Sequence, residues 1–365
     1  MASTIGNNDR LTQLKAFDDT KAGVKGLVDE GVTIVPPIFH HLPDPHDATS
    51  NAHAAIPVID LAAFSATNND EAHAHQQLVA QVKAAAETVG FFQVVNHGVP
   101  AELLPRMLAS VKSFNEEPAD ERRPYYTRDQ ARRVRYESNF DLFHSPAANW
   151  RDTVFFEDSA APEEMPPAFR DVVPEYARQA RGLAAQLLAL LSEALGLHAG
   201  YLQRDAGCLD GPSLACHYYP PCPEPWLTLG TTRHSDPSFL TVLLQDAVGG
   251  LQVLLGGRWV DVPSLPGALV VNIGDFLQLM SNDRFKSVEH RVVAVPPGAA
   301  ARVSVACFFR PSGAATSKEY GPVPDLVKPP EAPRYRSVTG VEFLDYYRQK
   351  GLDGRSALDH FRLLV

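Results

Sequence analysis

The sequence predicts a mainly β protein with flanking helices: a double-stranded β-helix (jelly roll) core preceded by an N-terminal α/β region. Three observations carry this expectation. After Leu209 the spacing of apolar residues changes from a period of about 3.6 to a period of two. From there, short apolar runs are punctuated by Gly249-Gly250, Gly256-Gly257, Pro266-Gly267 and Gly274-Asp275, pairs suited to tight turns. No helical pattern interrupts those runs, so the strands are expected to pair antiparallel, closed or stacked as a jelly roll.

Each element is then read in order. Residues 1–55 form a polar extension and linker in which Leu14, Phe17, Val24, Leu27 and Val28 recur at helical spacing, with Gly31 as a stop. Pro36, Pro37, Pro43 and Pro45 force extended chain. The histidines beside them, His40, His41, His46 and His53, sit in a tract of Pro, Asp and Ser that reads as a solvated linker, not a metal cluster. The α/β region, 56–160, opens with a strand at 56–61 and an amphipathic helix at 75–89 that ends at Gly90. A buried strand follows at 91–95 and runs into Asn96-His97-Gly98, where His97 reads as a structural histidine. A helix at 101–117 comes next, and another strand at 150–156. The arginines of 121–137, with Arg151 further on, alternate with acidic and tyrosine residues and read as a mixed, solvated surface. A spine, 168–208, holds the longest helix, whose apolar stripe runs over 169–195 with Gly196 after its end. The core, 209–312, carries strands at 213–219, 240–245, 251–255, 258–262, 268–273, 287–295 and 303–309. Residues 313–365 return to loop and helix, at 341–350 and 357–364.

Composition narrows the function. A chain of 365 residues is ample for a closed core. A formal charge of -10, with no basic run, argues against nucleic acid or an anionic membrane as a partner. No apolar run has the length of a membrane span, and the polar N-terminus lacks the apolar region of a signal peptide. Cys208, Cys216, Cys222 and Cys307 show no CxxC spacing, so reduced thiols in a cytoplasmic protein are expected, each a small core hydrophobe. No obligate protein partner is expected.

The chemistry concentrates between Thr231 and Phe309. His234-Ser235-Asp236 and the distant His290 supply two imidazoles and one carboxylate, the ligand set of a facial triad that holds Fe(II) and leaves the opposite face open for substrate and O₂. In extended chain His234 and Asp236, two apart, project to one side. Arg302 and Ser304, also two apart on the next strand, offer a guanidinium fork and a hydroxyl that together match a carboxylate. Phe308 shares that face. The same triad residue types could instead hold a tetrahedral zinc in a hydrolase. A metal-free ligand-binding jelly roll is the third reading, made improbable by the complete triad.

Six segments carry a resemblance. They are 90–98 (Gly90-Phe91-Phe92-Gln93-Val94-Val95-Asn96-His97-Gly98), Tyr218-Tyr219-Pro220-Pro221-Cys222-Pro223, His234-Ser235-Asp236, Asn272-Ile273-Gly274-Asp275, 282–292, and Arg302-Val303-Ser304. In this order, over about 55–312, they resemble the plant soluble 2-oxoglutarate/Fe(II)-dependent dioxygenases. The resemblance implies that His234, Asp236 and His290 bind iron, that Arg302, Ser304 and Tyr219 hold 2-oxoglutarate, and that Phe308 covers a small-molecule substrate. Phe140, Phe143 and Phe155 are further lining candidates. Ascorbate is implied as the agent that keeps iron reduced. His217 departs from the Asn common at that position, which touches only a secondary cosubstrate contact. The opening at 17–29 is similar to the oxidase homologues of the ethylene-forming enzyme, a subgroup that includes deacetoxyvindoline 4-hydroxylase. The Phe39-His40-His41 end resembles the grass benzoxazinoid-glucoside (DIBOA-glucoside) dioxygenase. Ethylene formation itself is the alternative activity, and the N-terminal extension counts against it.

Overall fold

The computed structural model describes residues 7–47, 56–65 and 71–363. Its helical and β elements run, in order, α1 (Asn7–Asp19), α2 (Gly23–Asp29), β1 (Val58–Asp60), α3 (Glu71–Thr88), β2 (Phe91–Val95), α4 (Leu103–Glu116) and α5 (Ala119–Arg122). There follow β3 (Val134–Glu137), β4 (Asp152–Glu157), α6 (Val173–Ala194), β5 (Pro212–Tyr219), β6 (Leu229–His234), β7 (Leu240–Gln245), β8 (Leu251–Leu255) and β9 (Arg258–Asp261). The last are β10 (Leu269–Ile273), α7 (Asp275–Met280), β11 (His290–Val293), β12 (Arg302–Phe309), β13 (Glu319–Tyr320), β14 (Val338–Thr339) and α8 (Gly340–Lys350).

Two sheets make the core. One has eight strands in the order β1-β2-β10-β7-β12-β5-β4-β3, the other four in the order β6-β11-β8-β9. Every pairing in them is antiparallel except β1 with β2. The jelly-roll expectation therefore holds, with the α/β region feeding four short strands into the larger sheet.

Alternation along β12 decides what each face does. Val303, Val305, Cys307 and Phe309 enter the main apolar core, with Leu214 and Cys216 of β5 and the stripe Leu183, Leu187, Leu191 of α6. The opposite face of β12 turns toward the smaller sheet. All four cysteines are free and buried, as small core residues. α6 ends where the sequence indicates: Gly196 takes φ 79, and Leu197 N–H donates to Ser192 O at 3.0 Å, closing a Schellman cap.

Several expectations need correction. The strands β3 and β6 have no alternation clear enough to announce them, and α7 interrupts a run expected to be free of helix. The strand expected at 287–295 contracts to His290–Val293. The first apolar run splits into α1 and α2, because Lys21 adopts φ 53 between them.

The Pro-rich stretch is solvated only in its second half, 40–47. Val35, Ile38 and Phe39 pack with Leu14, Phe17, Val24 and Trp150 into a separate buried cluster. His40 and His46 bond to the carbonyls of Val35 and Gly257, and His53 lies outside the described residues. No described helix is long and apolar enough to cross a membrane.

Candidate active site

β6 and β11 are neighbours, and their register sets His234 directly opposite His290. Asp236 lies two residues past the end of β6. In this position its Oδ1 is 3.6 Å from His234 Nε2 and 3.5 Å from His290 Nε2. Among the described residues these three form the one group of His, Cys, Asp or Glu able to hold a metal, with ligand atoms within 4.8 Å of one another.

Each donor is oriented from behind. His234 Nδ1 donates to Thr232 O at 2.7 Å and His290 Nδ1 to Val288 O at 3.2 Å. A nitrogen facing a carbonyl must carry the proton, so Nε2 is the atom that each ring offers to a metal. The far carboxylate oxygen, Asp236 Oδ2, accepts from Thr241 Oγ1 at 2.7 Å and Asn272 Nδ2 at 2.8 Å, leaving Oδ1 toward the histidines.

Charge follows the geometry. Burial, with His290 alongside, lowers His234 to about 3. Burial opposes the charge on Asp236 and His290 too, but each outweighs it for the other: the carboxyl falls below its usual range and His290 rises above its own. Two imidazoles and an ionised carboxylate on one wall of an open cavity fit Fe(II), which would take the place of the proton that Asp236 favours on His290.

Behind this cluster lies an inner chamber, walled by β5, β12 and the smaller sheet and lined by Tyr219, Thr231, Arg302 and Ser304. β12 and β5 align Arg302 with Tyr219 and Ser304 with His217. Arg302 is 1% exposed, lies over the Tyr219 ring at 4.8 Å, and donates to Ser304 Oγ at 2.8 Å and Gly249 O at 2.6 Å. It forms no ion pair with any described carboxylate, although Asp246 feels its charge from further away. A buried, uncompensated guanidinium is costly unless an anion completes it. Tyr219 is buried, which favours its neutral form, yet Arg151 and Arg302 outweigh this and lower its pKa. His217 donates to or accepts from Thr153 Oγ1 at 3.0 Å, and burial with nearby Arg151 drives it far below its usual range.

A larger cavity opens on the other side of the cluster and encloses, mouth included, about 880 Å³. Phe308, Phe140 and Phe155 border it. Phe143 does not. It is 39% exposed and lies under the Arg128 guanidinium at the surface.

Two groups of residues escaped the sequence reading. Arg135 and Arg151, taken as solvated, are 4% and 5% exposed and line this cavity. The second group is α8, which brings Leu344, Tyr347 and Arg348 to the wall, with Tyr347 stacked on Phe140 at 6.4 Å. A helix at 341–350 is expected from the sequence, but nothing local tells which surface it covers.

Comparison with known proteins agrees with the geometry. The model of the 2OG-Fe(II) oxygenase superfamily matches residues 211–311, and that of the non-haem dioxygenase in morphine synthesis N-terminal region matches 56–176. The chain is 49% identical to 1-aminocyclopropane-1-carboxylate oxidase homolog 3 of Arabidopsis thaliana, with 97% of each covered. It is 46% identical to a homolog from Solanum lycopersicum, again with 97% of each covered. The crystal structure of JOX2 in complex with 2OG, Fe and JA superposes with a TM-score of 0.81 at 30% identity, covering 94% of this chain and 98% of that one. The rice dioxygenase for auxin oxidation gives 0.68 at 28% identity, covering 85% and 100%. Proteins of this kind use Fe(II) and 2-oxoglutarate, typically with ascorbate. The chain belongs to the 2OG-Fe(II) oxygenase superfamily, as a 2-oxoglutarate-dependent dioxygenase among the plant homologues of 1-aminocyclopropane-1-carboxylate oxidase.

Proposed function

We propose that this protein hydroxylates a small plant specialised metabolite, consuming O₂ and 2-oxoglutarate and releasing succinate and CO₂. The observation that carries this reading is the pairing of two features across one wall. His234, Asp236 and His290 converge within 4.8 Å, and the uncompensated Arg302 lies deeper along the same inner chamber. His234, Asp236 and His290 would hold the iron, which supplies the oxidising chemistry when bound. Arg302, Ser304 and Tyr219 would fix the distal carboxylate of 2-oxoglutarate and so set its other end toward the metal ligands. Phe308, Phe140 and Phe155 would hold the substrate and keep water from the reacting face. A zinc hydrolase would have no use for the Arg302–Ser304 clamp.

Among substrates, an aromatic or indole-derived compound, the benzoxazinoid glucosides included, suits the phenylalanine-lined cavity. The test is a panel of plant metabolites, read by succinate release and a product mass shift of one oxygen. Substrate-dependent succinate that disappears in His234→Ala, Asp236→Ala and His290→Ala is the expected result. Normal succinate from any of these variants would refute the ligand assignment, and activity restored by zinc after chelation would favour the hydrolase.

A further inference from the structure

Four arginines line the larger cavity: Arg135, Arg151, Arg310 and Arg348. Three are compensated. Arg135 and Arg310 share Glu157, at 3.0 and 3.2 Å, Arg135 also faces Glu137 at 4.0 Å, and Arg348 pairs with Asp345 at 3.4 Å. Arg151 is different. Its NH1 donates to the neutral Thr231 Oγ1 at 2.9 Å, its buried Nε meets no acceptor, and no carboxylate among the described residues pairs with it. It lines both the larger cavity and the inner chamber, beside His234 and Asp236.

Arg302 and Arg151 are thus two buried guanidinium groups without an anion. The cost of burying a charge makes such a group a site in waiting, since an incoming carboxylate recovers two charge-assisted bonds. Under the functional reading above, 2-oxoglutarate completes Arg302. One cation is left over, next to an apolar chamber with room for one or two rings.

We propose that the primary substrate carries a single carboxylate, which docks on Arg151 beside the metal ligands while its apolar body lies among Phe140, Phe155 and Phe308. Arg151 is the one cavity arginine without an ion pair among the described residues, and its planar fork matches a single carboxylate. This narrows the substrates proposed above: a neutral glucoside would fit the aromatic wall but leave Arg151 unpaired, so an acid is preferred. His217, aligned with Ser304 and bonded to Thr153, lies within the influence of both arginines.

The inference rests on the dioxygenase reading, and the experiment separates the two. Enzyme loaded with Fe(II) and 2-oxoglutarate without oxygen is titrated calorimetrically with matched carboxylic acid and carboxamide pairs. These are built on phenyl, naphthyl and indolyl bodies with one- or two-carbon spacers. Acids should bind roughly 10- to 100-fold more tightly than their amides, the worth of hydrogen bonds to a charged group. Arg151→Gln should erase that gap, and Arg151→Lys should keep part of it. Equal binding of acids and amides, or no binding by any acid, overturns the inference while leaving the dioxygenase reading intact. So does an Arg151→Gln variant that loses 2-oxoglutarate affinity but keeps the gap, since Arg151 would then serve the cosubstrate. Failure of the wild-type protein to bind 2-oxoglutarate at all counts against the underlying reading instead.

Discussion

Asn272 shows how much of the site depends on single contacts behind the ligands. Its amide is one of two donors that turn Asp236 so that Oδ1 faces both imidazoles. Asn272→Ala should lower Fe(II) affinity about 10- to 100-fold, as expected when an outer partner of a metal ligand is lost, with little change in the circular dichroism spectrum. A competition titration with a coloured chelator reads it, and unchanged affinity would mean that Thr241 suffices. Arg302→Lys keeps the charge but loses the fork. The KM for 2-oxoglutarate should rise by the equivalent of about 1.5–3 kcal/mol, more than kcat falls. An unaltered KM would place the carboxylate elsewhere. The adjacent pair Phe308 and Phe309 separates function from stability, because they face opposite sides of β12. Phe308→Ala should weaken primary-substrate binding and raise uncoupled succinate, with 2-oxoglutarate affinity preserved. Phe309→Ala should instead cost about 3–5 kcal/mol of stability, measured by denaturant unfolding. Exchanged effects would contradict the register.

At the scale of elements, the N-terminal helices are fastened to the catalytic sheet by a buried carboxylate. Asp152, at the start of β4, accepts from Val24 N–H at 2.8 Å and Lys25 N–H at 2.7 Å. Gly23 takes φ 69 at this junction, and a Cβ there would collide with the Asp152 carboxylate, so the turn into α2 requires glycine. The neighbouring chain reaches the metal cluster: His41 Nε2 lies 2.9 Å from Thr232 Oγ1, and the Thr232 carbonyl orients His234. The extension is thus part of the wall that holds β6. Asp152→Ala leaves two buried N–H groups without an acceptor and should destabilise the protein by about 1.5–3 kcal/mol. Proteolysis should then cleave first within residues 1–47. Cleavage elsewhere first would mean that the apolar cluster around Phe39 and Trp150 holds the extension unaided.

For the molecule as a whole, the site draws its residues from both sheets. Iron and 2-oxoglutarate would bridge residues from β5, β6, β11 and β12, so binding them should stabilise the entire fold. At a ligand concentration of 100 times Kd the gain is about 2.7 kcal/mol. An anaerobic thermal melt should show a higher Tm with Fe(II) and 2-oxoglutarate together, and no shift with Fe(II) for Asp236→Ala. A full shift in that variant would exclude Asp236 as a ligand.

What the sequence by itself determined were the features whose cause is local. The alternation of β7 and β12, the stripe of α6 with its Gly196 cap, and the ligand types at 234, 236, 290, 302 and 304 each follow from residue chemistry at short spacing. β3, β6 and α7 were not legible, because each is fixed by its neighbours: β6 exists through its ladder with β11, and α7 fills the end of the sheet below Asp236. Burial of charge was hidden for the same reason. Arg135 and Arg151 have the side chains of a solvated surface, and only the meeting of β3, β4 and the distant α8 removes them from water and aims them into a cavity. A residue's type sets what it can bond; whether water competes for that bond depends on chain hundreds of positions away, and that only the tertiary structure decides.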